Sequence, residues 1–167
     1  MQKSKKISYL AILTGLASAI YYFEAFLPLP VPVPGAKWGF SNFPVLMATV
    51  NGYGYSNTIF IAFLKTMIGS LLSGKILSPT FLLGFTGSIV SSFIMVFAYK
   101  NIKKIGVLGV SELGAFFSNV SQVIVAAIFV VKSSGIFWYL PYMVIFGAIS
   151  AFINSSIVSV IKRSLDG

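Results

Sequence analysis

Lys65 stands near the middle of the apolar run Asn57–Ser73, where an unpaired ammonium is costly and must face a cavity or a partner. It suits an anionic ligand; a structural pair with Glu24, or snorkelling toward an interface, is the alternative. Lys37 precedes Asn42 and puts a cation and an amide at the start of the next apolar run, unless it is a plain surface lysine. The free backbone donors of a helix start around Gly39–Phe43 favour the same anionic group. Asn119 and Gln122, three residues apart, share a helix face with hydroxyls from Ser111, Ser118 and Ser121 nearby. They suit a polar ligand, or hydrogen bonds between helices. Lys37, Asn42, Lys65, Asn119 and Gln122 form the candidate binding set. Glu112 reads as an acid at a helix N-terminus, and with no second carboxylate at useful spacing no catalytic residue is assigned.

The elements that position these groups must lie in lipid. Of 167 residues, 57% are hydrophobic and 9% charged, with a mean hydropathy of +0.93, whereas a soluble domain carries about 25% charged residues. The net charge of +9 does not point to nucleic acid, because the cations lie in short connections between apolar runs and not on one hydrated face. The chain has neither cysteine nor histidine, which removes thiolate and imidazole chemistry and the commonest soft-metal ligands. No metal site is expected, and no cofactor. The first apolar run reads as an uncleaved helix, not a signal peptide.

At 1.5 Å per residue a helix needs about 20 residues to cross a hydrocarbon core. The runs predict an all-α integral membrane protein, a single domain of six transmembrane helices near 7–27, 41–53, 57–73, 79–99, 111–131 and 137–161. The second is short enough to be tilted or only partly spanning. Pro28–Phe40, rich in proline, cannot continue the first helix and reads as a lid. Lys3, Lys5, Lys6, Lys100, Lys103, Lys104, Lys162 and Arg163 fall on one side of a six-span topology, against Lys37, Lys75 and Lys132 on the other. The positive-inside rule makes both termini cytoplasmic and the lid extracellular.

Ala11, Gly15 and Ala19 recur every four residues and form a small face on the first helix, for another helix of the same bundle or for a separate subunit. There is no Gly-rich phosphate-binding loop and no soluble segment large enough for an ATPase, so any pumping is powered by other chains.

Four motifs in order resemble one family: Pro34-Gly-Ala-Lys-Trp-Gly-Phe-Ser-Asn42; Lys65 with Ile68-Gly-Ser-Leu-Leu-Ser-Gly74; Gly109-Val-Ser-Glu-Leu-Gly-Ala115 through Asn119 and Gln122; and Tyr139-Leu-Pro141. The chain resembles the Gx transporter family, also labelled heptaprenyl diphosphate synthase component I, grouped with the substrate-binding S components of energy-coupling factor (ECF) importers. That resemblance implies a six-helix bundle in the plasma membrane of a prokaryote, which captures a small molecule from outside beneath a gate between the first two helices. It implies as partners a transmembrane coupling subunit and two cytoplasmic ATPases that use ATP, docked through the small face Ala11, Gly15, Ala19. It also implies departures: Lys65 stands where an arginine is expected, a point charge in place of a bidentate fork, and Ser118-Asn119 stands where a His-Asn pair is usual.

The cations and amides suit an anionic or polar head, a carboxylate or a diphosphate, including an isoprenoid phosphate whose tail meets phenylalanines. Two other classes compete: a membrane accessory subunit of a polyprenyl diphosphate synthase, and a passive channel. Prenyl transfer uses aspartate-rich magnesium sites, and the sole aspartate is Asp166.

Overall fold

In the computed structural model residues 3–27 and 37–166 are described, and every regular element among them is helical. The helices are α1 (Lys3–Glu24), α2 (Phe43–Val50), α3 (Gly54–Leu72), α4 (Pro79–Asn101), α5 (Val107–Val125) and α6 (Leu140–Asp166). A 3₁₀ turn, Phe40–Asn42, leads into α2, a π turn, Ala126–Val130, ends α5, and a 3₁₀ stretch, Ser134–Tyr139, precedes α6.

Local chemistry explains the starts. Ser78 caps α4, its hydroxyl accepting from Phe81 N at 3.2 Å, with Pro79 at the first helical position. Expected from residue 137, α6 instead begins at Leu140. Pro141, which has no N–H to donate, thereby falls in its first turn. Helix α5 begins at Val107, four residues before the expected start, after Gly106 in extended conformation. Glu112 therefore lies beyond the first turn and is not the N-terminal acid the sequence suggested.

The second expected span is the shortest of the α-helices among the described residues. Among the described residues five helices are long and apolar enough to cross a membrane. The short apolar segment Phe40–Val50 would cover about 16 Å of a core about 30 Å thick. All eight residues of α2 are buried, as an all-round apolar helix requires, and it packs against α1, α3, α4 and α6. The end of α2 meets the start of α1 and the end of α4: Asn51 Nδ2 donates to Tyr9 Oη at 2.9 Å, and Tyr99 Oη to Val50 O at 2.9 Å. Its beginning lies deep in the bundle, beside Lys65. At the opposite end of the bundle Lys75 Nζ donates to Ala25 O at 3.0 Å, tying the α3–α4 connection to the end of α1.

Polarity is arranged inside out. Ile12, Phe23, Phe129, Phe152 and Val160 are exposed, while Ser88, Ser91, Ser118, Asn119, Ser150 and Asn154 are buried. This distribution suits a lipid environment, where the polar groups have to find partners inside the bundle. The lid expected over 28–40 lies outside the described residues for 28–36; residues 37–40 form part of the site.

Candidate functional site

The connection entering α2 forms one wall of a small chamber. Gly39 has φ 90°, in the left-handed region that a side chain disfavours, and a Cβ there would meet Ser150 Oγ at 3.4 Å. The peptide between Gly39 and Phe40 is held on both edges. Phe40 N donates to the Glu24 carboxylate, from the end of α1, and Asn154 Nδ2, from α6, donates to Gly39 O at 3.0 Å.

Lys65 lies behind this wall. It is 1% exposed, and its ammonium donates to Ser41 O at 3.1 Å, Ser41 Oγ at 3.3 Å and Asn42 Oδ1 at 2.5 Å. Three acceptors match the three donors of an ammonium. Because Lys65 takes the Asn42 oxygen, the amide nitrogen of Asn42 turns toward Gly39 and the chamber.

Lys37 sits over the Tyr21 ring, 3.2 Å from its centroid, a cation–π contact. Tyr21 is buried and fits between α3 and α4 because Gly69 and Gly84 leave room for its ring and hydroxyl. Burial pushes the Lys37 ammonium down to about 8 from its ordinary 10.5; the Glu24 carboxylate opposes the shift and Lys75 adds to it.

The remaining walls are helix faces rich in small and polar residues: Gly84, Ser88 and Ser91 on α4; Ser111, Ser118, Asn119 and Gln122 on α5; Gly147, Ser150 and Asn154 on α6, with Met95, Ala115 and Ala151 among them. Gly87 makes room for Gln122 and Ser118, and Gly147 for Asn119. Asn119 Nδ2 donates to Met143 O at 2.7 Å and Gln122 Nε2 to Ser118 Oγ at 3.0 Å. The chamber holds about 40 Å³, room for about three water molecules.

Lys37, Asn42, Asn119 and Gln122, separated by up to 85 positions in the chain, thus share one chamber, with Lys65 one layer behind it. Sequence reasoning did not single out Ser91 or Asn154, and gave Glu24 only the role of a partner for Lys65. The missed signal was periodicity: Gly84, Ser88, Ser91 and Gly147, Ser150, Asn154 each recur at three- and four-residue steps, putting small and polar groups on one face. Ala11, Gly15 and Ala19 are exposed on the opposite side of α1 from buried Leu13, Ala17 and Tyr21. A Cβ at Gly15 would meet nothing within 4 Å.

Compared with known proteins, residues 13–161 match the family model described as heptaprenyl diphosphate synthase component I. No curated protein and no solved structure matches the chain.

Proposed function

The chain belongs to the heptaprenyl diphosphate synthase component I family, and on that premise we propose that it is the substrate-binding subunit of an ECF-type importer. In this reading it takes a small molecule from outside the cell and passes it to a coupling subunit driven by two cytoplasmic ATPases that use ATP. The observation that carries the reading is the chamber, in which a cation and amides from distant parts of the chain converge against a wall, 37–42, whose first three residues carry no regular structure. A continuous pore would need a path through the bundle, whereas this space is a small pocket in which polar side chains converge, the form of a site that binds and releases.

The 37–42 wall supports a gating role for the connection after α1. The chamber is smaller than a small organic molecule requires, so a ligand must displace part of its wall, and residues 37–39 are held by no helical hydrogen-bond ladder. Lys65 acts on the ligand through Asn42, by fixing the orientation of its amide. The exposed face Ala11, Gly15, Ala19 is available to a coupling subunit in the membrane, and its small side chains allow close approach. The excess of cations at the end bearing Lys6, Lys100 and Arg163 supports cytoplasmic termini, and the importer reading implies the plasma membrane of a prokaryote.

Coexpression of the chain with a coupling subunit and two ATPases of an ECF module tests this reading. Copurification, with a small molecule retained by the chain in native mass spectrometry, is the expected result. A chain that neither retains a small molecule nor copurifies overturns it.

A further inference from the structure

The polar atoms of the chamber do not balance. Glu24 uses one carboxylate oxygen on Phe40 N, and its Oε2 is buried with no partner among the described residues. Asn154 uses its Nδ2 on Gly39 O, and its Oδ1 is likewise buried and unpartnered among them. Ser91, 1% exposed, has an unpartnered hydroxyl there as well. All three side chains line the same chamber. A buried acceptor without a donor is costly, and such groups persist where a ligand or water completes them.

The same chamber also carries the opposite chemistry. Lys37 contributes an ammonium whose contact is the Tyr21 ring, and Asn42 an amide nitrogen. Positive charge and donors are thus supplied by 37–42, while a negative charge and free acceptors come from α1 and α6. A ligand bearing only negative charge satisfies Lys37 but meets the Glu24 carboxylate at close quarters, where a like charge in a low-dielectric space is strongly disfavoured. The linings of α4, α5 and α6 are mostly serine, asparagine, glutamine and glycine, with Met95, Ala115 and Ala151 as their apolar members, a surface better matched to a small polar molecule than to a long isoprenoid tail.

We propose that the chamber takes a small hydrophilic molecule bearing both an amine and an anionic group. The protonated amine donates to Glu24 Oε2 and Asn154 Oδ1, and the anionic group accepts from Lys37 and Asn42. This inference rests on the reading of the chamber as the substrate site, and it replaces the purely anionic or isoprenoid phosphate head that the cations alone suggested.

The test uses the full chain in lipid nanodiscs and a deproteinised extract of its host cells, split by cation exchange at acidic pH into an amine-bearing and an amine-free fraction. Protection against thermal unfolding should be found in the amine-bearing fraction and should vanish after acetylation of its amines with acetic anhydride. Protection by the amine-free fraction, or protection that survives acetylation, overturns the amine assignment and leaves the site reading standing. Protection by neither fraction overturns the site reading itself. Two variants locate the effect. Glu24→Gln keeps an acceptor for Phe40 N but removes the charge, and should raise the amount of fraction needed by about tenfold or more. Ser91→Ala removes a hydroxyl that has no partner among the described residues, so the free protein should unfold at the same temperature or higher while the protective fraction is needed in several-fold larger amount. Unchanged protection in both variants removes the acceptor side from the site.

Discussion

Two rows of small residues in this protein look alike in sequence and do opposite things. Ala11, Gly15 and Ala19 on α1 face outward, and nothing lies within 4 Å of a Cβ placed on Gly15. On α4 and α6, Gly84, Gly87 and Gly147 face inward, and a Cβ on any of them would overlap Tyr21, Gln122 or Asn119. The inner glycines are spaces already filled by polar heads, whereas the outer one is space not yet filled by anything in the chain. Small residues at helical spacing therefore mark close approach, and what approaches is decided elsewhere.

The sharpest way to break this contrast is Gly147→Leu. The added side chain would drive Asn119 from its bond to Met143 O, costing about 1–3 kcal/mol of stability and, with the chamber filled, about a hundredfold or more in ligand binding. Thermal unfolding with and without the protective extract measures both; unaltered protection would move the ligand out of the chamber.

Lys65→Met comes next. It leaves Ser41 and Asn42 acceptors without their donor, a loss of about 1–3 kcal/mol per buried group. Binding should weaken about tenfold through the freed Asn42 amide, less than in the glycine variant. A loss as large as that of Gly147→Leu would mean direct contact between Lys65 and the ligand.

A pH titration separates Lys37 from the other groups. Its folded value, about 8, lies below its ordinary 10.5, so above pH 8 the folded protein loses this proton while the unfolded chain keeps it. Stability of the free protein should therefore rise between about pH 8 and 10.5. Binding of an anionic group should fall over the same window, by about tenfold per pH unit once Lys37 is neutral. Lys37→Met should flatten both trends, and parallel trends in stability and binding would count against contact between Lys37 and the anion.

The smallest effect on binding is expected from Gly15→Leu. Ligand protection should stay within about twofold of the unmodified chain, while copurification with a coexpressed coupling subunit is lost. If protection fell together with copurification, the outer face would serve the bundle itself.

Much of the frame is legible along the chain. Continuous apolar runs reveal α1, α3, α4, α5 and α6, because a lipid-facing helix needs apolar residues all along its length. α2 was the uncertain span for a physical reason: encircled by other helices, it is apolar at every position but Thr49, and its sequence alone does not distinguish a buried half-length helix from a tilted crossing. Lys37, Asn42, Asn119 and Gln122 were visible as rare polar groups in apolar surroundings. Ser91 was not, since serine is common in membrane helices and its meaning depends on what faces it.

The sequence by itself determined that this chain lives in a bilayer as helices, which family it resembles and which of its polar residues are too costly to be idle, because transfer into lipid charges each group separately. Only the tertiary structure decided that the saturated Lys65 stands behind Asn42, that Glu24 and Asn154 grip two edges of one peptide and keep an oxygen each to spare, and that one small row looks in while the other looks out. Those are relations between atoms far apart in the chain, and hydrogen-bond balance exists only once the chain has brought them together.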